Sequence, residues 1–243
     1  MKVKRKLLSS CQSIRGNYRK KNQDRALCMT AGSKDGMFAV ACVCDGIGSF
    51  EMSELASKLV TDGVRNWFLN MEGRFHTLSQ KDLQDDMEET LYELNELVCE
   101  YQEGHRVTIG CTMSLLLLLD MKYFIFHVGD SRVCVVEDGI HQLTVDEVVQ
   151  KKSEGKIQSY LSNYIGKTRN LWLNKSEGVL HKGNLFMLGT DGLFKNLRYE
   201  DVDALRTKLR SQKEIEAVNN WIVQLVTARG ERDNISCILL YVL

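Results

Sequence analysis

The apolar positions of this chain fall into short unbroken runs and into longer stretches with helical spacing. Met37–Cys44 is an almost unbroken apolar run that ends at Asp45-Gly46, and this predicts a buried strand closed by a turn. Ser53–Leu69 and Leu83–Tyr101 instead repeat apolar residues at intervals of three and four. That spacing places the apolar side chains on one face of a helix, so we predict two amphipathic helices.

The second half of the chain begins with three apolar runs separated by brief polar turns, and this order predicts an antiparallel meander. Further runs and stretches of helical spacing predict more strands and helices. The predicted strands are Thr112–Leu119, Lys122–Val128, Arg132–Val136, Asn184–Gly189 and Asn234–Val242, and the predicted helices are Tyr199–Leu209 and Lys213–Ala228. Because strands and helices are segregated, the pattern favours an α+β fold with antiparallel sheets covered by helices.

The remaining segments carry weaker patterns. Asp146–Asn170 is polar and irregular, so we expect a surface excursion that is mostly loop with one short helix. The first residues predict a ragged start or an edge strand, and they lack the apolar stretch of a secretory signal. No repeat, low-complexity stretch or linker divides the sequence, so we expect a single domain over residues 1–243.

Composition and charge narrow the functional classes. The 243 residues are 44% hydrophobic and 26% charged, and Lys+Arg and Asp+Glu both number 32, as in an ordinary globular protein. A chain with zero net charge has no overall electrostatic attraction for nucleic acid or an anionic membrane. No segment approaches the ~20 apolar residues that span a bilayer. We therefore expect neither nucleic acid nor a membrane as a partner.

The cysteines and histidines do not suggest a site of their own. None of the eight cysteines forms a Cys-x-x-Cys pair, and most lie inside apolar runs. We expect buried free thiols in a reducing cytoplasm rather than zinc ligands or disulfides. No cysteine has an arginine six residues later, so the nucleophilic loop of tyrosine phosphatases is not expected. The five histidines show no ligand spacing, and His127, inside a predicted strand, is expected to be a packed core residue.

Aspartates collect where apolar runs end. Three of them, Asp45, Asp191 and Asp233, begin Asp-Gly or Asp-Asn pairs, and each pair alone is explained as a turn former. Together, carboxylates at strand ends suit a hard cation that prefers oxygen ligands. A glycine after the aspartate, as in Asp45-Gly46, also lets the backbone carbonyl approach a metal. The aspartates are Asp24, Asp45, Asp130, Asp191 and Asp233.

These aspartates belong to motifs that follow one another along nearly the whole chain. Val128–Arg132 contains Gly-Asp-Ser-Arg, and Asp45–Gly48 reads Asp-Gly-Ile-Gly. The other motifs are Arg19–Arg25, Gly110–Thr112, Leu143–Asp146, Leu188–Phe194 and Arg232–Ser236. Their order, with most of them following a predicted strand, resembles the metal-dependent serine/threonine protein phosphatases, or protein phosphatase 2C-like family, in its bacterial-type branch.

The resemblance implies a fold and a reaction. The fold is a four-layer α/β/β/α sandwich with two central antiparallel β-sheets. The reaction is hydrolysis of phosphoserine and phosphothreonine in proteins by a water or hydroxide that bridges two ions. The site holds two or three Mn²⁺ or Mg²⁺ ions in all. The implied partners are a phosphorylated protein substrate and a cognate serine/threonine kinase.

The resemblance also implies roles for individual residues. Asp45 bridges two ions, and Gly46 offers its carbonyl to one of them. Asp191 and Asp233 complete the second ion. Asp24 acts near the site through a water. Asp130 shares a third, weaker ion with Asp191. Arg19 holds the substrate phosphate in its guanidinium fork.

Simpler explanations exist for several of these residues. Arg19 lies in a basic run and reads equally as a solvated surface charge. Asp24 could pair with Arg25 or cap a turn. An ion pair with Arg132 explains Asp130 as well as metal binding does. Two other functions are also open: a phosphatase-like binding or sensor module without turnover, and a hydrolase of a small phosphate ester, although no Walker-type phosphate loop is present.

The sequence departs from the family in ways that bear on the site. Ile47 stands where many eukaryotic members carry a histidine thought to protonate the leaving oxygen, so that proton must come from a metal-bound water or another group. Glu147 stands where a histidine often follows Asp146, which we expect to be a turn or flap residue. The segment between Asp146 and Asp191 is shorter than usual, which predicts a reduced flap beside the site.

Overall fold

The unbroken apolar runs form the buried strands of two antiparallel sheets. The computed structural model describes residues 6–33, 36–153, 156–201, 205 and 209–243. The strands are β1 Leu7–Ile14, β2 Arg25–Ser33, β3 Gly36–Cys44, β4 Met113–Leu119, β5 Lys122–Val128, β6 Arg132–Val136, β7 Ile140–Gln142, β8 Val148–Ser153, β9 Lys156–Leu161, β10 Asn174–Val179, β11 Leu185–Gly189 and β12 Ile235–Val242. The helices are α1 Ser53–Glu72, α2 Gln80–His105, α3 Asp191–Phe194 and α4 Gln212–Ala228, with single 3₁₀ turns at Phe75–Thr77 and Tyr199–Asp201.

Within the described residues, the strands make two five-stranded sheets and one separate hairpin. The first sheet has the order β1-β12-β11-β6-β7, and the second has the order β10-β5-β4-β3-β2. Strands β8 and β9 pair only with each other. All of these pairings are antiparallel.

The two sheets pack face to face, with helices on both outer faces. Strand β3 illustrates the arrangement, because alternate side chains point to opposite faces of a sheet. Phe38 and Val40 pack with α1 and α2, whereas Ala39 and Ala41 pack with the first sheet. Helix α4 covers the outer face of the first sheet. The predicted α+β class and the four-layer α/β/β/α sandwich are confirmed. None of the helices in the described part of the chain has both the length and the apolar composition needed to cross a bilayer.

Serines begin the two helices that have side-chain caps. Ser79 accepts a hydrogen bond from the N–H of Asp82 at the start of α2, and Ser211 accepts one from Glu214 at the start of α4. In both, the acidic side chain also accepts a hydrogen bond from the backbone N–H of the serine. Each of these capping boxes satisfies backbone donors that the first helical turn leaves free, and thereby sets where the helix begins.

One predicted connection is wrong. Strands β4 and β5 pair as expected, but β6 leaves their sheet and pairs with β11 and β7 in the other. The crossing takes place at Gly129, where φ is +101° and a Cβ would lie 2.7 Å from Cβ of Thr112. A meander was expected from the short turn alone, whereas the partner strand β11 lies about fifty residues further on and is not visible in that local pattern.

The strands that the apolar pattern missed lie at sheet edges or outside the sheets. Strands β2 and β10 are the edges of the second sheet, and β7 is an edge of the first. An edge strand buries less of its surface, so it tolerates polar residues. Residues 148–153 and 156–161 form the paired strands β8 and β9 instead of the expected loop with a short helix. Strand β1 is an edge strand, as one of the two expectations for the N-terminal region stated.

Two further expectations have mixed outcomes. Most of the helix predicted over Tyr199–Leu209 lies outside the described residues. The described residues 199–201 form a 3₁₀ turn. All eight cysteines are free. Six of them are buried as expected, but Cys28 is only partly buried and Cys11 is exposed on an edge strand.

Candidate active site

A cavity of about 140 Å³ lies at one end of the sandwich. Asp45 follows β3, Asp130 follows β5 and Asp191 follows β11. Asp233 precedes β12, which runs antiparallel to β11, so its start lies beside the end of β11. The cavity is lined by Arg19, Asp45, Gly46, Ile47, Gly48, Thr112, Asp130, Leu161, Asp191 and Asp233. The sheet topology therefore brings together residues that are up to 214 positions apart in sequence.

The Asp45-Gly46 turn is held from two sides. The backbone N–H of Asp45 donates to Oγ1 of Thr112 over 3.0 Å, and the N–H of Thr112 donates to the Asp45 carbonyl over 2.8 Å. A Cβ on Gly46 would lie 2.8 Å from the carbonyl oxygen of Gln23 and 2.9 Å from Ser53. Only glycine fits such a close approach, so this turn presents Asp45 to the cavity in one orientation.

Asp24 is fully buried behind the cavity. Its Oδ2 accepts hydrogen bonds from Oγ1 of Thr190 and Oγ of Ser236, both at 2.8 Å. Burial raises the pKa of Asp24 to about 7, although these two hydrogen bonds act in the opposite direction. Among the described residues, no donor reaches its Oδ1. Asp24 therefore neither pairs with Arg25 through its side chain nor caps a turn; its carboxyl group is directed into the protein.

The carboxylates raise one another's pKa values. Burial raises the pKa of Asp45 well above its usual value, and the charges of the other aspartates around the cavity add to this effect. Burial together with the charges of Asp191 and Asp146 raises the pKa of Asp130 to about 6. Carboxyl groups that hold their protons to this extent lie in a region where additional positive charge would be strongly stabilised.

Two basic side chains supply part of that charge. Arg19 donates from Nε to Oδ1 of Asp233 over 2.8 Å and from Nη2 to Oδ2 over 2.7 Å. Burial alone would raise the pKa of Asp233, but the hydrogen bond from Arg19 and the backbone N–H of Asn234 lower it. Lys195 Nζ lies 2.5 Å from Oδ2 of Asp191. Arg19 is thus a paired residue of the cavity wall and not a freely solvated surface charge.

The residues around the cavity fit a hard divalent cation in their chemistry. They offer several carboxylates and no soft sulfur ligand, and two buried oxygens, Oδ1 of Asp24 and Oδ1 of Asp191, have no hydrogen-bond donor among the described residues. In the described part of the chain, no three acidic, imidazole or thiol groups already enclose a common point. Asp191 and Asp233 are instead engaged by Lys195 and Arg19. The ligand roles of the predicted residues, including Gly46, stay predictions.

Asp130 does not have the ion-pair partner that was considered for it. Arg132 donates from Nε to Oδ1 of Asp146 over 2.9 Å and from Nη2 to Oδ2 over 2.6 Å. Gln142 Nε2 also donates to Asp146 over 2.7 Å. Asp146 is therefore a structural residue, consistent with the expected turn or flap role, and Asp130 faces the cavity.

Glu147 is a structural residue that the sequence did not single out as such. Its carboxylate accepts hydrogen bonds from the N–H of Gly129 at 2.8 Å, from Asn174 at 2.7 Å and from Asn163 at 3.0 Å. It thereby ties the turn before Asp130 to the base of the β8–β9 hairpin, which contributes Leu161 to the cavity. The only sequence signal was its position next to a motif.

Other supporting residues were present in the motifs without a role. Thr112, Thr190 and Ser236 each donate or accept a hydrogen bond that orients Asp24 or Asp45. His127 is buried between Oγ of Ser114 and the carbonyl of Val145, as expected for a packed residue. Lys195 belongs to none of the motifs, and no sequence feature pointed to it.

Comparison with known proteins agrees with this architecture. The family model described as protein phosphatase 2C matches residues 17–227. A protein of Streptococcus pyogenes serotype M6, of the protein phosphatase 2C type, is 24% identical in an alignment 241 positions long. The alignment covers 93% of this chain and 94% of that protein.

Solved structures share the fold. The serine/threonine phosphatase Stp1 from Staphylococcus aureus has a TM-score of 0.79 at 21% identity, covering 99% of this chain and 97% of its own. The catalytic domain of the serine/threonine phosphatase PstP, solved with two manganese ions, has a TM-score of 0.78 at 19% identity, covering 98% and 99%. PppA of Pseudomonas aeruginosa has a TM-score of 0.77 at 22% identity and covers 98% of both chains. Since the family model spans most of the sequence, this chain belongs to the protein phosphatase 2C family of enzymes.

Proposed function

We propose that this protein hydrolyses phosphoserine and phosphothreonine in a protein substrate, in a reaction that depends on Mn²⁺ or Mg²⁺. The observation that carries the proposal is the convergence of four aspartates and one arginine on a single small cavity. Phosphate monoesters are dianions whose uncatalysed hydrolysis is very slow. A site that acts on them has to neutralise charge and supply a nucleophile.

In this proposal, the carboxylates and one backbone carbonyl are the ligands of two or three divalent ions. Asp45 and the Gly46 carbonyl, Asp191 and Asp233 would hold two ions, with Asp24 behind them, and Asp130 would share a third with Asp191. When bound, such ions neutralise the phosphate charge and lower the pKa of water enough for it to attack phosphorus at neutral pH. The manganese ions reported for PstP support this class of cation.

Arg19 would bind and orient the phosphate. Its fork is planar and lies at the cavity wall, and its present partner is Asp233. A cation bound to Asp233 would neutralise its carboxylate in place of Arg19. The guanidinium would then be free to bind phosphate oxygens, whose geometry it fits as well as that of a carboxylate. Ile47 lines the same cavity and has no proton to donate, so the leaving oxygen would take its proton from a water or from another group.

The substrate would be a phosphoprotein made by a serine/threonine kinase. No nucleophilic cysteine or serine is required in this scheme. Burial raises the pKa values of Cys134 and Cys237, so these thiols stay protonated and are not nucleophiles. The cytoplasmic location and the single-domain organisation over residues 1–243 that the sequence predicted belong to this proposal and stay predictions.

The test is phosphate release from a phosphothreonine peptide, measured with Mn²⁺ and again with EDTA. We expect release that requires the metal and that Asp45→Asn or Asp191→Asn lowers by about 10³-fold or more, since these residues would hold the ions. Circular dichroism checks that the variants are folded. Wild-type rates from a folded Asp45→Asn, Asp191→Asn double variant would refute the assignment. A folded wild-type protein that binds the peptide without releasing phosphate would instead be a sensor module, and a preference for nucleotides would indicate a small-molecule phosphatase.

A further inference from the structure

A second and larger cavity, which we call the side groove, opens beside the candidate active site. It measures about 580 Å³ and shares Arg19 and Asp233 with the smaller cavity. Tyr18, Lys195 and Arg232 also line it. Because the two cavities adjoin each other across Arg19 and Asp233, a peptide whose phosphorylated side chain occupies the first would place its neighbouring residues in or beside the second.

The side chains that the side groove presents to solvent are mainly cationic. The side chains of Arg19 and Lys195 are 40% and 51% exposed, and Arg232 is exposed. The guanidinium of Arg232 lies 5.4 Å from the centre of the Tyr18 ring, which is also exposed. A cation held over an aromatic face keeps its other hydrogen-bond donors free for a ligand.

The acidic groups of the side groove are already engaged. Glu231 is buried, and its carboxylate accepts hydrogen bonds from Asn196 Nδ2 at 2.5 Å and from the backbone N–H groups of Arg232 and Asp233 at 2.8 and 2.9 Å. Asp233 is paired with Arg19. Within the described residues, no carboxylate forms an ion pair with the Arg232 side chain. Arg232 is thus the cation of the groove that is available to a ligand.

We infer that the side groove binds an acidic side chain located one or two residues from the phosphorylated residue of the substrate, and that Arg232 determines this preference. The inference rests on the proposed phosphatase function and names its substrate class. Arg232 directly precedes Asp233, which lines both cavities, so Arg232 lies beside the site proposed for the phosphate. An extended peptide advances about 3.3 Å per residue, so the residues nearest the phosphorylated one are those that would reach this adjoining groove.

The experiment compares kcat/KM for phosphothreonine peptides that differ only in the residues flanking the phosphothreonine, which are Glu, Gln or Lys. We expect the wild-type protein to prefer the Glu peptide over the Lys peptide by roughly 2–5-fold at low salt, with the preference shrinking as salt rises. Arg232→Lys should retain the preference, and Arg232→Glu should abolish or reverse it. The ratio within each variant is the readout, so a general change in activity cancels.

A charge-matched control is Arg65→Glu, an exposed position on helix α1. It makes the same change in net charge away from both cavities and should leave the ratio unchanged. An unaltered ratio in Arg232→Glu, or an equal loss in Arg65→Glu, would overturn the inference.

Failure of the inference can be separated from failure of the proposed function. Hydrolysis of para-nitrophenyl phosphate, which has no flanking residues, reports on catalysis alone. If that hydrolysis is present but peptides show no acidic preference, the side-groove inference is wrong and the phosphatase proposal stands. If catalysis is absent, anisotropy of the same peptides labelled with a fluorophore tests the groove directly. Tighter binding of the Glu peptide that Arg232→Glu removes supports the inference, and equal binding of all peptides refutes it.

Discussion

At the scale of single residues, the chemistry of the site comes from carboxylates placed closer together than their charges favour. Burial and neighbouring aspartates raise the pKa values of Asp24, Asp45 and Asp130. Arg19 and Lys195 offset part of the repulsion through Asp233 and Asp191. The arrangement costs folding stability and makes sense as a binding site for cations.

The first prediction concerns pH and the protein without metal. The pKa of Asp24 is about 7 in the folded protein and about 3.9 when unfolded, so between these values the folded state holds a proton that the unfolded state has lost. Stability therefore falls as pH rises from 4 to 7. Asp24→Asn removes this contribution. We expect the variant to have a free energy of unfolding above that of the wild type at pH 7.5, by at most ~4 kcal/mol, and equal to it near pH 4.

Urea unfolding in EDTA at both pH values measures this difference. Burial lowers the pKa of His127, so the contribution of His127 to protein stability increases as pH rises. This contribution is the same in both proteins and cancels in the comparison. An Asp24→Asn protein with the same pH dependence as wild type would show that Asp24 is ionised throughout.

The second prediction concerns Arg19. If its guanidinium holds the substrate phosphate, Arg19→Ala should raise KM for a phosphopeptide more than it lowers kcat, with kcat/KM falling about 10–100-fold, as for the loss of a charge-assisted hydrogen bond. Steady-state kinetics measure both constants. Lys20→Ala, an exposed neighbour in the same basic run, is the control and should behave as wild type. An unchanged KM in Arg19→Ala would leave Arg19 with a structural role towards Asp233.

At the scale of elements, the site depends on where strands end and on what ties the loops together. Asp45, Asp130 and Asp191 follow buried strands, which hold their Cα positions rigidly. The β8–β9 hairpin pairs with neither large sheet, so the hydrogen bonds of Glu147 are contacts that connect its base to the rest of the protein.

The third prediction follows from this attachment. Glu147→Gln keeps the size of the side chain but weakens the charge-assisted hydrogen bonds from Gly129, Asn163 and Asn174. We expect the hairpin, which carries Lys151 and Lys152, to be cleaved several-fold faster by trypsin, because cleavage follows local opening. The free energy of unfolding measured with urea should decrease by about 1 kcal/mol or less. Glu89→Gln, at an exposed position of helix α2, is the matched control. Equal cleavage of wild type and Glu147→Gln would contradict the anchoring role.

At the scale of the whole molecule, the sandwich is held by three buried layers: one between the sheets and one beneath the helices on each side. The cavity lies at one end of these layers, where chain segments from both sheets meet. Ligands that bind there connect both sheets, so occupancy of the site and global stability are linked.

The fourth prediction is metal-dependent stabilisation. A cation that binds the folded state alone stabilises it by RT ln(1 + [L]/Kd), which is about 2.7 kcal/mol at one hundred times Kd. We expect Mn²⁺ to raise the melting temperature at pH 7.5 and to do so less at pH 5.5, because binding has to displace protons from Asp24 and Asp130. Asp45→Asn should lose most of the shift. An equal shift in Asp45→Asn would place the stabilising ion elsewhere.

Some features of this protein are determined by sequence alone, and the reason is that they are local. Apolar runs predicted the central strands β3, β4, β5, β11 and β12 to within a residue or two, because a strand buried on both faces excludes polar residues. Through their resemblance to a known family, the motifs also singled out Asp45, Asp130, Asp191 and Asp233, which line one cavity, whereas their ligand roles stay predictions. The same motif order predicted the family, and with it the four-layer fold.

Tertiary structure decided the features that depend on distant segments. The crossing of β6 to the other sheet depends on its pairing with β11, and the edge strands β2, β7 and β10 are each completed by hydrogen bonds to a neighbouring strand. The pairing of Arg19 with Asp233, across 214 positions, and the presence of Lys195 at the cavity follow from that topology. No local pattern encodes such contacts, because their energy arises only when the folded chain brings the partners together.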